Sequence, residues 1–188
     1  MELVSEAIAF AVKAHDGMRR KKSDIPYILH PMEAAVIVGT MTNNQDIIAA
    51  AALHDVVEDA EITIEEIEER FGRRVRELVE SETEDKRAEL PPESTWRIRK
   101  EESLEVLKNT DDIGVLLVWL GDKLANMRAI YRDFKVEGNA MWQNFNQKDS
   151  REQAWYYRSI VDLTRTLRDT SAWLEYKRLT ELVFGKGE

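Results

Sequence analysis

Apolar residues recur every three or four positions along most of this chain, which is the period of amphipathic helices. The first such stretch covers residues 2–16 and ends at Gly17. Thr63, with Glu66 three positions later, fits the capping box of a helix that ends at Phe71-Gly72. The chain is therefore predicted to be rich in helix. Further helices are predicted at 32–41, 47–59, 94–108, 155–167 and 173–184, with a short one around 75–79.

Three stretches depart from this regular pattern. Residues 113–120 are apolar except for Gly114, so periodicity alone fits either a buried strand or a buried helix. The helical spacing that continues to Ile130 favours one buried helix. Residues 81–93 are charged, contain Pro-Pro and show no period, which predicts a loop in a suitable position for a mobile flap. Residues 132–153 are polar and are predicted to form a loop and a short helix.

The most informative apolar stretch is Ile47–Asp59, in which Ile, Ala and Leu lead into four ionisable groups. Small residues let a helix pack closely into a core, and buried charges are costly unless they are paired or bind a metal. At 3.6 residues per turn, a continuous helix places His54 above Glu58 and Asp55 above Asp59. One helix end would then present an imidazole and three carboxylates to one cavity. We interpret this as a metal-assisted hydrolytic site.

His30 and Asp122 are candidate ligands from other parts of the chain. His30 precedes Pro31, which favours the first turn of a helix, and Asp122 follows the apolar run 113–120. A histidine in such a position is more often a hydrogen-bonded structural residue, and most acids on helices form surface ion pairs. However, both His54-Asp55 and Asp122 end the two most apolar segments of the chain. This arrangement favours a metal site over surface ion pairs.

Two imidazoles and two carboxylates suit a divalent ion such as Mn²⁺, Fe²⁺ or Zn²⁺, with positions left for water and substrate. A bound ion lowers the pKa of its water from about 15.7 towards about 7. Glu58 and Asp59, one turn after the ligands, are placed to take the proton or to orient that water. The predicted metal ligands are His30, His54, Asp55 and Asp122.

The composition supports one compact domain. The chain has 188 residues with 8 Gly and 4 Pro and shows no repeat or linker, so residues 1–188 are predicted to form a single domain. The absence of cysteine excludes disulfides and thiolate metal sites and fits a cytoplasmic location. The sequence contains no apolar run of transmembrane length and no signal-peptide pattern, so no membrane association is expected. These features are compatible with a homodimer.

The net charge of −9 narrows the choice of partners. A nucleic-acid-binding protein needs a basic surface to displace counterions, so no nucleic-acid partner is predicted. The same charge repels polyphosphates, so a phosphate substrate would need a metal or a local basic cluster. Arg19, Arg20, Lys21 and Lys22 form such a cluster shortly before His30. A run of this kind is usually a solvated surface, but its proximity to a histidine in an acidic chain favours a function.

Four blocks of the sequence carry a resemblance to a known family. They read MRRKKSDIPYILHP, AALHDVVEDAEIT, FGRRV with ELV after one residue, and GDKLANMRAI, and the resemblance extends over roughly residues 5–132. The His-Asp doublet with an upstream His and a distant Asp resembles the HD-domain metal phosphohydrolases. Within that superfamily the blocks are most similar to the hydrolase domain of the RelA/SpoT homologues, and best to the single-domain small alarmone hydrolases.

This resemblance implies a single all-α HD-domain bundle of about eight or more helices. It implies a Mn²⁺ ion on the four predicted ligands. The expected reaction is hydrolysis of the 3′-diphosphate of guanosine tetra- or pentaphosphate to GDP or GTP and pyrophosphate, an activity of the stringent response. The family's Glu-Asp pair corresponds to Glu58 and Asp59, as activators of the attacking water.

The resemblance also implies substrate contacts. Arg19, Arg20 and Lys21 would bind phosphates or stack on the base, and Asn126 would lie close to the nucleotide. Tyr156 or Tyr157 would flank the ribose. The chain departs from the family in two places. The family commonly has the triplet LAD where this chain has Gly121 between Leu120 and Asp122, and residues 142–157 match no family block. In that segment Trp142, Asn144, Lys148 and Trp155 are either nucleotide contacts or, for the aromatics, core residues.

Two other functions remain open at this point. An HD-class phosphohydrolase acting on another nucleotide (a deoxynucleotide, a cyclic nucleotide or a dinucleotide) would use the same chemistry. A non-catalytic nucleotide-binding module would not need Glu58 and Asp59, which disfavours it. His15, the third histidine, has no carboxylate partner in its local sequence and is predicted to be structural or to support a ligand indirectly.

Overall fold

The computed structural model of the chain describes residues 2–20, 23–60 and 62–186. Within these ranges there is no β-strand, only an isolated antiparallel bridge between Arg19 and Pro26, so the predicted all-α fold is confirmed. The α-helices are α1 Leu3–Ala14, α2 Leu29–Gly39, α3 Gln45–Leu53, α4 Val56–Asp59, α5 Ile64–Phe71, α6 Arg73–Glu82, α7 Pro92–Asn109, α8 Ile113–Glu137, α9 Ser150–Leu163 and α10 Ser171–Phe184. Two 3₁₀ segments are Gly138–Asn144 and Arg165–Leu167.

The helices form two compact units. The first unit combines residues 1–83 with 112–122, and the second combines 84–111 with 123–188. Helix α8 begins in the first unit and continues into the second. That residues 1–188 form a single domain remains a prediction. Among the described helices, none is both long enough and apolar enough to cross a membrane.

The first unit is built around α3, which packs against α1, α2 and α6. The Asn44 side chain caps this helix by accepting hydrogen bonds from the backbone N–H groups of Asp46 and Ile47. The four alanines Ala49–Ala52 are fully buried. Their short side chains allow neighbouring helices to approach α3 from several sides, which is how a helix so small in volume occupies the centre of the unit.

The predicted continuous helix over 47–59 is wrong, because α3 ends at Leu53 and α4 begins at Val56. His54 and Asp55 form the turn between the two helices. In a continuous helix the Ala51 carbonyl would accept a hydrogen bond from the backbone of Asp55. The imidazole Nδ1 of His54 lies 2.8 Å from that carbonyl oxygen instead. The side chain therefore takes over a backbone partner, and the helix is interrupted at the two residues of greatest chemical interest.

Other boundaries follow the sequence more closely. The Thr63 hydroxyl accepts from the Glu66 backbone at 3.2 Å, and Gly72 ends α5 with φ of 88°, as the capping pattern predicts. Residues 113–120 are helical, which resolves their ambiguity. Helix α8 then continues to Glu137, so the loop predicted from residue 132 is wrong over its first six positions.

The second unit contains an aromatic core between its helices. Helix α9 packs against α7 and α10. Trp142 lies between Phe145 and Phe184, with ring centroids at 5.3 and 5.4 Å, and it is 2% exposed. These contacts favour the core interpretation of Trp142. Asn144 and Lys148 are exposed.

Candidate metal centre

Three helical segments of the first unit bring four predicted ligands together. His30 lies in the first turn of α2, His54 and Asp55 form the turn between α3 and α4, and Asp122 lies on α8. His30, His54 and Asp122 are 6%, 2% and 4% exposed. Among the described residues, these three form a group whose ligand atoms all lie within 4.8 Å of one another. Asp55 lies beside this group, with its Oδ2 atom close to the Nε2 atoms of both histidines.

The distances between the donor atoms match those around a single ion. Asp122 Oδ1 lies 3.0 Å from His30 Nε2 and 3.5 Å from His54 Nε2. Asp55 Oδ2 lies 3.4 Å from His30 Nε2 and 3.1 Å from His54 Nε2. Two donors bound at right angles to one metal, with bonds of about 2.1 Å, lie about 3 Å apart. All four observed separations are near this value, so the donor set fits a divalent ion.

The hydrogen bond of His54 places the correct nitrogen toward the other ligands. Its Nδ1 lies 2.8 Å from the carbonyl oxygen of Ala51, and a proton on Nδ1 would be donated there. A backbone partner of this kind fixes the tautomer that leaves a lone pair on Nε2. The Nε2 atom is buried and makes no hydrogen bond within the described part of the chain. A metal ion would satisfy this atom.

The electrostatics of the cluster also favour a cation. Burial by itself disfavours a charged imidazole, but the carboxylates of Asp55 and Asp122 outweigh it and raise the pKa of His54 well above its ordinary value. Burial would likewise raise the pKa of the Asp55 carboxyl, yet His54 and His30 lower it below its ordinary range. Both shifts mean that positive charge is stabilised at the same point between the carboxylates. A divalent ion could replace the proton in this position.

Gly121 allows α8 to approach α2 closely beside the ligands. A Cβ atom at Gly121 would lie 2.5 Å from Val38 Cγ2 and 3.0 Å from the carbonyl oxygen of Ala34. Neither neighbour is the end of a flexible side chain, so any larger residue would push the helices apart. The departure from the common family pattern at Gly121 thus permits a short distance between α8, which carries Asp122, and α2, which carries His30.

Glu58 and Asp59 lie on α4, immediately after the His54-Asp55 turn, and both are partly exposed. The backbone N–H of Asp59 donates to the carbonyl of Asp55 at 2.9 Å, so Asp55 and Asp59 are one helical turn apart. The predicted spacing of these two carboxylates is therefore preserved, although the helix is interrupted at His54 and Asp55.

Arg19 and Arg20 of the basic cluster lie in a short paired segment formed by residues 18–20 and 23–27, which we call the 18–27 ribbon. Arg20 donates its backbone N–H to Ile25 at 2.9 Å, and Tyr27 donates to Met18 at 3.0 Å. The Arg19 side chain is exposed and donates to the carbonyl of Asp24 at 2.8 Å. Arg20 is partly buried, and its guanidinium lies 5.7 Å from the centre of the Tyr27 ring. Lys21 and Lys22 lie outside the described residues.

The remaining predicted contacts belong to the second unit. Asn126 lies one turn after Asp122 on α8 and is partly buried. Tyr156 is 3% exposed, with the rings of Trp96 and Tyr157 at 6.1 and 5.3 Å. The Nζ of Lys100 lies 4.9 Å from the Tyr156 ring centre. This enclosure favours a packing role for Tyr156 over contact with a ribose. Trp155 is partly exposed, with the Arg97 guanidinium 3.5 Å from its ring centre.

The sequence interpretation missed Tyr27, although it belongs to the PYILHP block. The Tyr27 hydroxyl donates to Asp55 Oδ2 at 2.7 Å and lies within hydrogen-bond reach of Asp59. Burial, and then the charges of these two carboxylates, raise the pKa of the hydroxyl above its ordinary value, so it keeps its proton. The available signal was its position three residues before His30.

His15 was predicted to be structural or to support a ligand indirectly, and its surroundings match that description. It is 2% exposed, and its ring lies 5.1 Å from that of Tyr27. Burial lowers its pKa, while the charges of Asp55 and Asp59 partly oppose this effect. The sequence offered no local carboxylate partner because Asp55 and Asp59 belong to the turn after α3 and to α4, far along the chain from His15.

Comparison with known proteins identifies the family. The HD domain model matches residues 7–150, a range that contains all four converging side chains. The chain belongs to the HD domain family. Its predicted resemblance to HD-domain proteins of the RelA/SpoT type is confirmed by the curated relatives that it matches.

Two curated relatives illustrate the similarity. The HD chain is 35% identical over 130 residues to a guanosine-3′,5′-bis(diphosphate) 3′-pyrophosphohydrolase from Aquifex aeolicus (strain VF5). The aligned region covers 69% of this chain and 18% of the relative. It is 36% identical over 128 residues to a GTP pyrophosphokinase rsh from Brucella abortus (strain 2308), which covers 68% of this chain and 17% of the relative. The chain thus spans less than a fifth of the length of these relatives.

Two solved structures share the HD chain's fold. One is that of a metazoan orthologue of SpoT, described as hydrolysing ppGpp and acting in starvation responses. It has a TM-score of 0.77 at 24% identity and covers 99% of this chain and 98% of its own. The other is the crystal structure of lmo0812 from Listeria monocytogenes EGD-e, with a TM-score of 0.72 at 28% identity, covering 84% of this chain and 99% of its own.

Proposed function

We propose that this chain is a metal-dependent phosphohydrolase that removes the 3′-diphosphate of guanosine tetra- or pentaphosphate, giving GDP or GTP and pyrophosphate. The observation that carries the proposal is the convergence of two histidine Nε2 atoms and two carboxylates at separations of 3.0–3.5 Å. The activity named for the Aquifex relative supports the choice of substrate.

In this proposal His30, His54, Asp55 and Asp122 hold one divalent ion, which we propose to be Mn²⁺. The mixed set of nitrogen and oxygen donors suits Mn²⁺, Fe²⁺ or Zn²⁺. When bound, such an ion polarises a phosphoryl oxygen and lowers the pKa of a water molecule. The backbone bond of His54 supports the assignment, because it holds one proton on Nδ1, so that Nε2 offers its lone pair once the ion replaces the second proton.

Glu58 and Asp59 are proposed to handle the proton of the attacking water. They lie one turn beyond the ligand turn, where α4 leaves the buried cluster and both side chains are partly exposed. A carboxylate in this position can accept a proton or orient the water through a hydrogen bond. Asp59 lies within reach of the Tyr27 hydroxyl, so we assign the proton to Glu58 and the orientation of the water to Asp59.

Recognition of a polyphosphate requires cations in a chain with net charge −9. We propose that Arg20 binds substrate phosphate through its guanidinium, which can form two parallel hydrogen bonds. Arg19 and Lys21, the neighbours of Arg20 in the sequence, would add positive charge, and Asn126 would bind the nucleotide through its amide. The burial of Tyr156 supports a packing role for this residue within the second unit.

The direct test is to incubate purified protein with Mn²⁺ and guanosine tetraphosphate and to measure pyrophosphate and GDP in equal amounts. A chelator should abolish the release, and added Mn²⁺ should restore it. Parallel assays with deoxynucleotides, cyclic nucleotides and dinucleotides test the alternative substrates. Turnover of one of these without turnover of guanosine tetraphosphate would refute the proposed substrate. Nucleotide binding without any turnover would refute the enzyme assignment.

A further inference from the structure

The backbone of Tyr27 joins the 18–27 ribbon to helix α2. Its N–H donates to the carbonyl of Met18 at 3.0 Å, which closes the ribbon. Its own carbonyl accepts from the backbone N–H of His30 at 2.9 Å, at the start of the helix that carries the first predicted ligand. Tyr27 therefore has a fixed position between Arg20 and the candidate metal centre.

The ring of Tyr27 is held from several sides. The ring of His15 lies 5.1 Å away at an interplanar angle of 47°, and that of His30 lies 6.0 Å away at 69°. The guanidinium of Arg20 lies 5.7 Å from the ring centre. A ring enclosed by these groups directs its hydroxyl in one direction, and a cation over its face is attracted by the π-electrons.

The hydroxyl points at the two carboxylates with different proposed roles. It donates to Asp55 Oδ2 at 2.7 Å, the same oxygen that faces the Nε2 atoms of both predicted histidine ligands. It also lies within hydrogen-bond reach of Asp59. A phenol has a single proton, so this one donor lies between a predicted ligand and a residue proposed to orient water.

We propose that Tyr27 is a positioning residue that orients Asp55 toward the metal, links Asp55 to Asp59, and supports Arg20 for substrate binding. This inference rests on the proposed function for the roles of Asp59 and Arg20, whereas the effect on Asp55 concerns metal binding alone. Groups that hydrogen-bond to a ligating carboxylate fix its orientation, and their removal typically weakens metal binding by about 10- to 100-fold.

The test compares Tyr27→Phe with Tyr176→Phe. Tyr176 is the matched control, because its hydroxyl also makes a buried hydrogen bond, to the carbonyl of Tyr157 at 3.0 Å, but within the second unit. Apo protein is titrated with Mn²⁺ in the absence of nucleotide. Bound metal is measured by calorimetry or by the loss of the electron paramagnetic resonance signal of free Mn²⁺. Tyr27→Phe should raise the Kd for Mn²⁺ by about 10- to 100-fold. Tyr176→Phe should lower the unfolding temperature and leave the Kd unchanged.

A second comparison separates the hydroxyl from the ring. At saturating Mn²⁺, Tyr27→Phe keeps the ring under Arg20, so KM for guanosine tetraphosphate should stay constant while kcat falls. Tyr27→Ala removes the ring as well and should raise KM. An unchanged Kd for Mn²⁺ in Tyr27→Phe would overturn the role toward Asp55, and an unchanged KM in Tyr27→Ala would overturn the role toward Arg20.

The metal titration also distinguishes this inference from the proposed function. Weaker Mn²⁺ binding in Tyr27→Phe, with no hydrolysis of guanosine tetraphosphate by the wild type, would refute the substrate and retain the role toward Asp55. If Tyr27→Phe does not fold, wild-type protein labelled with 3-fluorotyrosine provides the test. The resonance of Tyr27 is assigned as the one that remains in all the Tyr→Phe variants of the other four tyrosines. This resonance should shift when Zn²⁺ is added. The absence of such a shift would overturn the proposal.

Discussion

Each compact unit contains a buried group of charges, and the two groups are satisfied in opposite ways. In the second unit, Glu84 Oε1 accepts from Lys100 Nζ at 2.6 Å and from Ser103 Oγ at 2.9 Å, while its other oxygen accepts from Arg99 at 2.9 Å. We call this set the Glu84 cluster. In the first unit, the donor atoms of the predicted ligands face one another, and His54 Nε2 makes no hydrogen bond within the described residues.

This difference indicates which buried charges await a ligand. Burying a charge is costly in both cases unless a partner compensates it. The Glu84 cluster supplies donors for both oxygens of its carboxylate from within the protein, which is typical of a structural ion pair. The metal centre directs lone pairs and negative charge to one point, where only a proton or a cation can satisfy them. The metal centre should therefore bind a divalent ion. The stability contributed by the Glu84 cluster should depend on pH and on the presence of the Glu84 counterion.

Removal of a predicted ligand should have the largest effect. Asp122→Asn keeps the shape of the side chain and removes its charge, so we expect loss of bound metal and a fall in kcat/KM of roughly 10³-fold, beyond the effect of residues that only orient ligands. Metal stoichiometry in the purified protein provides the measurement. Asp112→Asn is the matched control, because Asp112 precedes the same helix and pairs with Arg74 instead. Full metal occupancy in Asp122→Asn would rule out the ligand assignment.

Glu58→Ala should separate catalysis from metal binding. We expect turnover to fall by about 10²- to 10⁴-fold, since a positioned base contributes this much, while the metal content stays at the wild-type level. The exposed acid Glu65 on α5 offers a control, and Glu65→Ala should leave turnover unchanged. Retained activity in Glu58→Ala would show that another group accepts the proton.

Glu84→Gln tests the second cluster. It leaves Arg99 and Lys100, 11% and 18% exposed, without their counterion, so we expect the free energy of unfolding to fall by about 3 kcal/mol with unchanged Mn²⁺ affinity. Chemical denaturation measures the loss. Glu77→Gln, which removes an exposed pair with Arg73, should leave the unfolding temperature unchanged. Equal effects of the two substitutions would show that the Glu84 cluster contributes no more than a surface pair.

The pH dependence of the Glu84 cluster has a definite sign. Burial alone would raise the pKa of Glu84, but Lys100 and other donors lower it below its ordinary value. A carboxyl whose pKa is lower in the folded state contributes stability that is fully present above the unfolded pKa, about 4.3. That stability is lost as the pH falls through the folded pKa. The wild type should therefore lose stability more steeply than Glu84→Gln below about pH 4. Parallel denaturation curves of the two proteins across this range would contradict the prediction.

Gly121→Ala should have a smaller effect on the metal centre than Asp122→Asn. The added Cβ meets Val38 and the Ala34 backbone, so we expect a loss of about 1–3 kcal/mol in stability and a few-fold weaker Mn²⁺ binding as α8 moves away from α2. Gly39→Ala is the matched control, because a Cβ there meets nothing within 4 Å. That substitution should be neutral or slightly stabilising. An increase in stability for both variants would show that α8 and α2 have room at this point.

Much of the local structure was predictable from the sequence because its causes are local. The cap at Thr63, the stop at Gly72 and the helical spacing of α1 depend on residues a few positions apart. The same reasoning identified candidate ligands, because His54-Asp55 and Asp122 each end an apolar segment where a charge needs a partner. It was wrong where a side chain competes with the backbone, as His54 does for the Ala51 carbonyl.

The sequence by itself determined the helical character of the chain and the residue types from which a metal site could be built. Only the tertiary structure decided that α2, the turn after α3, and α8 present their donor atoms to one point. The packing that achieves this depends on contacts such as that of Gly121 with Ala34, between residues far apart in the chain. It also decided that Tyr27 reaches Asp55. Periodicity reports which face of a helix is buried, but the partner of that face is set by how the helices pack.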